Sequence, residues 1–115
     1  MEFAERRAVL QFDPAEAALI TPSPPVLSEP WPPRVVLCFF HEQLAALHAT
    51  GQARLVGAFS AEMGGHGIYL TDPHGAGAVA LFHPGVGAPA AVHHLERAIG
   101  GGARTVVVCG GAGAL

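Results

Sequence analysis

A continuous apolar run at residues 35–40 constrains the fold more than any other feature of this sequence. It reads Val-Val-Leu-Cys-Phe-Phe, is rich in β-branched and aromatic residues, and has the length of a strand buried on both faces. A second such run lies at residues 105–109. Strands of this kind are typical of parallel sheets covered by helices on both sides, so the sequence predicts an α/β fold.

Two helices are predicted between these runs. The first follows residue 40 directly, with apolar residues at helical spacing, and is expected to end near Gly51. The second begins near Pro89 and ends at the glycines of residues 100–102. Three apolar residues are expected to share its buried face: Val92, Leu95 and Ile99.

Weaker strands are predicted at residues 54–59, 68–71 and 79–83. The Asp-Pro and glycine-rich turn at residues 72–77 makes a hairpin of the last two. The expected architecture is therefore a mixed twisted sheet flanked by helices.

The N-terminal third has a different composition. Seven of the ten prolines lie at residues 14–33, which forbids a regular helix or a central strand over that stretch. Asp13-Pro14 favours one short helix before it, through about residue 19. We therefore divide the chain into a proline-rich lead-in with a short helix, residues 1–33, and a folded unit, residues 34–115.

Composition excludes several functional classes. With 50% hydrophobic and 13% charged residues, the chain is predicted to fold around a core. Six arginines, no lysine and no basic stripe argue against nucleic-acid binding. No apolar run approaches the roughly 18 residues of a membrane span, and the N-terminus lacks a secretory signal. A cytoplasmic protein with reduced thiols at Cys38 and Cys109, both packed inside strands, is expected.

Seven histidines raise the question of a metal site. His41-Glu42 begins an H-E-x-x-H pattern, but residue 45 is alanine and the next histidine is His48. His93 and His94 are adjacent on a helix and point in different directions. The sequence therefore predicts no metal site.

Two glycine-rich loops follow predicted strands. Residues 85–90 fit G-x-G-x-x-A, and residues 110–113 follow the last strand. A strand that passes through glycines into a helix leaves backbone amides free to bind an anion or a polar ligand atom. In open α/β sheets such loops border the ligand crevice, although a tight turn that holds nothing explains the first loop equally well.

Taken together, residues 82–91 and 103–115 resemble the purine nucleoside/uridine phosphorylase superfamily, which also includes methylthioadenosine/S-adenosylhomocysteine nucleosidases. The resemblance covers residues 34–115 and implies the family's three-layer sandwich. It also implies that the chain is the N-terminal half of a protein about twice as long, incomplete at its C-terminal side. The family's later half carries the Met-Glu ribose pair and the catalytic aspartate.

The resemblance implies an activity: phosphorolysis of the N-glycosidic bond of a purine or pyrimidine nucleoside, a pentosyl transfer in nucleoside salvage. Nucleoside and phosphate are then the ligands, no other cofactor is needed, and the full-length protein is a homo-oligomer. Gly85 and Gly87 are assigned to phosphate. The implied substrate-binding residues are Val86, Gly110, Gly111, Ala112 and Gly113.

Two departures from the family pattern bear on the nucleophile. Phosphorylases carry an arginine where this chain has Val108 and a hydroxyl residue where it has Gly111. The alternative is a nucleosidase that uses water, in which Glu42 after the first strand is the catalytic base. Glu42 also fits a solvated acid favoured by the helix dipole. A third alternative is a degenerate fragment that binds a nucleoside without catalysis.

Overall fold

The computed structural model describes residues 23–60, 65–72, 75, 77–111 and 113. The short helix predicted through residue 19 lies outside them. Five strands and two helices follow in order: β1 Arg34–Cys38, α1 His41–Ala49, β2 Arg54–Phe59, β3 His66–Thr71, β4 Val79–Phe82, α2 Ala88–Gly101 and β5 Thr105–Cys109.

The strands form one mixed sheet in the order β2-β3-β4-β1-β5. β1 is parallel to both of its neighbours, β4 and β5, whereas β3 is antiparallel to β2 and β4. The predicted α/β class, the mixed sheet and the hairpin are confirmed. β1 is flanked on both sides and covered on both faces, which explains why its sequence is continuously apolar.

The two helices pack on opposite faces of the sheet. Val35 and Leu37 of β1 belong to a core cluster that includes Ala98 of α2. Cys38 belongs to a second cluster that includes Leu44 of α1. Because side chains alternate along a strand, each face of β1 packs against one helix.

The connections out of β1 and β4 run in opposite directions. The chain leaves β1 through α1 to reach β2 at one edge of the sheet, and it leaves β4 through α2 to reach β5 at the other edge. β1 and β4 are adjacent and parallel. The carboxyl ends of these two strands are therefore a topological switch point, the place where open α/β sheets bind ligands.

The buried face of α2 differs from the predicted one. Val92 is 52% exposed and Ile99 46% exposed. His94 and Ala98 are buried instead, and Leu95 is partly buried against the core. The helix is rotated because small Ala98 packs against the sheet and His94 contacts Phe59, with ring centroids 4.6 Å apart.

β5 lies at an edge, although its apolar sequence resembles that of β1. Val107 is 55% and Val108 62% exposed. Cys38 and Cys109 are register partners and both are free thiols. Cys38 is buried as expected, but Cys109 is exposed, because β5 has a strand on one side only within the described part of the sheet.

The segment just before β1 is held against the domain. Trp31 lies 6.3 Å from Phe59 between ring centroids, and the amide of Ser28 donates to the carbonyl of Val56 at 2.9 Å. An exposed ion pair joins Arg54 Nε and Glu29 Oε2 at 2.5 Å. None of the described helices is long and apolar enough to cross a membrane.

Candidate functional site

Phe39 lies at the carboxyl edge of the sheet, between His83, which precedes the first predicted glycine loop, and Gly110 of the second. Its amide donates to the carbonyl of Cys109 at 3.0 Å, and its ring meets His83 edge-on, with centroids 5.6 Å apart. A Cβ atom on Gly110 would lie 3.1 Å from Cδ2 of Phe39. The close approach of Phe39 therefore favours glycine at residue 110. The ring of Phe39 lies between the ends of β4 and β5.

A cavity of about 390 Å³ opens beside this ring; we call it the loop cavity. It is lined by Phe39, Val108, Gly110 and Gly111. An aromatic ring, an aliphatic side chain and glycine backbone suit a flat, largely apolar group with polar atoms at its rim.

The other residues that the resemblance assigns to the substrate lie near this edge or outside the described residues. Val86, in the loop before α2, is 92% exposed. Gly113 is also exposed, and Ala112 is not among the described residues. Of the predicted substrate-binding residues, the structure brings Gly110 and Gly111 together in one cavity.

The loop from β4 to α2 is held by two imidazole rings. Its amide at Gly85 donates to Nδ1 of His83 at 3.0 Å, and Nδ1 of His94 donates to the carbonyl of Pro84 at 2.8 Å. Gly85 and Gly87 each have φ +90°, a conformation that favours glycine. The amide of Gly85, predicted as a phosphate ligand, thus has a partner inside the loop.

These two hydrogen bonds fix which ring nitrogen carries the proton. A backbone amide can only donate, so Nδ1 of His83 accepts and its Nε2 carries hydrogen in the neutral ring. A carbonyl can only accept, so Nδ1 of His94 carries hydrogen. Nε2 of His94 is buried and has no hydrogen-bond partner within the described part of the chain.

Three histidines from different elements stack at the switch point. The rings of His41 and His83 lie face to face, with centroids 3.8 Å apart and planes inclined by 4°. The ring of His66 lies 5.5 Å from that of His83 and 6.3 Å from that of His41, inclined by 21° and 22°. We call His41, His66 and His83 the histidine stack.

The histidine stack borders a second cavity of about 300 Å³, which we call the histidine cavity. The other lining residues are apolar, glycine or tyrosine: Leu44, Ala45, Gly65, Gly67 and Tyr69. Within the described residues, neither an arginine nor a carboxylate lines it. Its polar groups are therefore imidazoles and one phenol.

The surroundings of His66 and His83 lower the pKa of both rings. Burial lowers the pKa of His66, and the nearby rings of His94 and His41 lower it further. Burial also lowers the pKa of His83, with further contributions from His41 and His66. A charge on one ring opposes a charge on the next, and a bound anion would reverse that effect.

Glu42, the predicted catalytic base, is exposed in the first turn of α1. It follows His41 directly in sequence, but it is not among the lining residues of the histidine cavity or of the loop cavity. Its exposure at the start of a helix fits the solvated acid, and the described structure does not bring it to either cavity.

The histidine stack has no signature at short spacing in the sequence, because its three members lie far apart along the chain. The usable signal was positional: His41 and His83 each follow a strand, and those strands are neighbours in the sheet. His66 begins β3, which is paired antiparallel with β4. Across the described ranges, no group of three histidine, cysteine, aspartate or glutamate side chains is arranged to hold a metal ion.

Comparison of the chain with protein-family models, with curated proteins and with solved structures finds no match.

Proposed function

We propose that this chain acts in a nucleoside phosphorylase-like reaction, the transfer of a pentosyl group from a purine or pyrimidine nucleoside to phosphate. The observation that supports it is the position of Phe39 beside the switch point of the sheet, where its ring contacts His83, just before the first glycine loop, and packs against Gly110 of the second. These loops carry the resemblance to the purine nucleoside/uridine phosphorylase superfamily, and the second loop lines the loop cavity through Gly110 and Gly111.

In this proposal the loop cavity receives the nucleoside. Phe39 and Val108 offer apolar surface to the base or the sugar, and the backbone of Gly110 and Gly111 offers amides and carbonyls at the rim. Val86, Ala112 and Gly113 complete the substrate contacts, and Gly85 and Gly87 turn the chain beside the phosphate.

The chemistry is one displacement at the anomeric carbon. A phosphate oxygen forms a bond to that carbon as the carbon–nitrogen bond to the base breaks, through an oxocarbenium-like state. The departing base takes a proton from a general acid, which we assign to none of the described residues. The products are the free base and a pentose 1-phosphate, and no cofactor takes part.

The proposed setting follows from the same resemblance. We propose a nucleoside-salvage activity in the cytoplasm, in a homo-oligomer of the full-length protein, with a three-layer sandwich of the phosphorylase type. The opposite placement of α1 and α2 on the sheet is compatible with that architecture.

One observation favours a second candidate, hydrolysis of the nucleoside by water. Val108 stands where the resembling phosphorylases carry an arginine, and no arginine lines the loop cavity or the histidine cavity within the described residues. Burying a phosphate dianion without a positive partner is costly. In this alternative Glu42 activates the water.

The decisive experiment measures base release by the full-length protein from inosine, uridine and methylthioadenosine, each with and without phosphate. Release that requires phosphate and yields a pentose 1-phosphate supports the proposal. Release at equal rates without phosphate, yielding the free pentose, establishes the hydrolase. Saturable nucleoside binding with no release under either condition identifies a non-catalytic binding protein and overturns both.

A further inference from the structure

We propose that the histidine stack, His41, His66 and His83, is an oxyanion-binding site that holds a tetrahedral dianion in the histidine cavity. We further propose that phosphate bound there is the co-substrate, a role that rests on the function proposed above. The stack would then supply the positive charge that phosphorylases of the resembling family obtain from arginine.

Each ring can contribute a specific donor. His83 accepts the amide of Gly85 at Nδ1, so in its neutral form it offers Nε2–H as a donor of fixed orientation. His66 and His41 have no such hydrogen bond at either ring nitrogen in the described structure, and each can take up a proton to become a charged donor. Charged donors form the stronger hydrogen bonds to oxyanions.

The arrangement explains why a cluster of imidazoles lies at a ligand-binding edge. Three nearly parallel rings from α1, β3 and the end of β4 repel one another when charged, so the empty site favours neutral rings. A dianion removes this penalty and favours protonation. Anion binding should therefore be accompanied by proton uptake, and it should weaken as the pH rises.

Among the described residues, two further titratable side chains lie near the stack. Tyr69 of β3 lines the same cavity, and His94 of α2 lies 5.7 Å from His66 between ring centroids. Nδ1 of His94 donates its hydrogen to the carbonyl of Pro84. The neutral ring of His94 therefore has no N–H left to donate toward His66. No described carboxylate lines the cavity to compete with an anion.

The test is calorimetric titration of the full chain with sulfate and with phosphate at constant ionic strength, at about pH 6, 7 and 8. Sulfate stays a dianion over this range, so any pH dependence of its affinity belongs to the protein. Two buffers of different ionisation enthalpy report the number of protons taken up. We expect saturable sulfate binding that phosphate competes away, with proton uptake approaching one per ion bound.

Three variants assign the binding to the stack. His66→Gln and His41→Gln keep a polar side chain but remove the charge, and each should weaken sulfate binding about tenfold. His93→Gln is the matched control, because His93 is an exposed residue of α2 that does not line the histidine cavity, and binding should be unchanged. Thermal melts establish that each variant is folded, and His41 is exposed, so its variant should retain the fold.

Several results overturn the inference: no saturable binding of either ion, binding without proton uptake, or an equal loss in the His93→Gln control. The two proposals also fail separately. Sulfate and phosphate binding at the stack without nucleoside cleavage refutes the proposed function alone. Phosphate-dependent cleavage that is unchanged in His41→Gln and His66→Gln refutes the co-substrate role of the stack and leaves the proposed function intact.

Discussion

The imidazole rings of His41 and His83 stack face to face, with centroids 3.8 Å apart. One ring belongs to the first turn of α1 and the other follows β4, so the contact spans the switch point between two parallel strands. The position that binds ligands in open α/β sheets thus carries titratable groups rather than a fixed charge. The behaviour of this edge should depend on pH in both stability and binding.

Stability should decrease below neutral pH. Burial lowers the folded-state pKa of His66 and His83 below the ordinary value of 6.5, so between the two values the unfolded chain binds more protons than the folded one. The free energy of unfolding should therefore fall as the pH drops through 6.5, by at most about 1.4 kcal/mol per pH unit for each ring. Urea titrations from about pH 7.5 to about pH 5.5 measure this slope. His66→Gln should flatten it, and an unchanged slope in that variant would contradict the assignment.

The loop that holds His83 should be sensitive to a Cβ atom at residue 85. Gly85 has φ +90°, and a Cβ there would lie 3.1 Å from that of Ala90. Gly51 has φ +77° with nothing within 4 Å, which makes Gly51→Ala a control for backbone strain alone. We expect Gly51→Ala to cost about 1–2 kcal/mol of stability and leave sulfate binding intact. Gly85→Ala should cost at least as much and also weaken sulfate binding, because it displaces the amide that orients His83. Equal sulfate affinity in the two variants would contradict this.

Glu42→Gln tests the hydrolytic alternative. If Glu42 activates water, removing its charge should lower base release in the absence of phosphate by about 100-fold. Glu96→Gln is the control, since Glu96 is an exposed acid on α2, and it should leave the rate unchanged. Initial rates of base release in phosphate-free buffer give the comparison. A rate for Glu42→Gln equal to that of the control would identify Glu42 as a solvated acid at a helix start.

The bounds of a helix or strand could be predicted where the signal lies within the sequence of that element. β2 and β5 have the predicted bounds, and α1 ends within two residues of the expected glycine. The proline in the first turn of α2 and the glycines at its end also mark that helix correctly. Hydrophobic period, turn chemistry and helix caps are local signals, and they were sufficient here.

The position of each strand in the sheet, and the contacts that depend on it, could not be predicted from local signals. β1 and β5 have similar apolar sequences, yet one is central and the other lies at an edge, so Cys109 is exposed whereas Cys38 is buried. The histidine stack has the same origin, because its members come together only when β4 is placed beside β1. Buried His94 was missed because its helix face was assigned from apolar residues alone.

Val108 offers the sharpest test of where the anion binds. Val108 is 62% exposed and lines the loop cavity beside Phe39, whose ring also contacts His83. Val108→Arg places a guanidinium in the loop cavity, where the resembling phosphorylases carry one. Because Val108 does not line the histidine cavity, we expect sulfate affinity to change less than about threefold, with stability changed by less than about 0.5 kcal/mol. Val107→Arg adds the same charge at a position 55% exposed on the opposite face of β5 and is the control for net charge. Calorimetric titration with sulfate compares the two variants. Equal gains would mean that the added charge acts through net electrostatics, whereas a gain in Val108→Arg alone would place the anion in the loop cavity and contradict the histidine stack as its site.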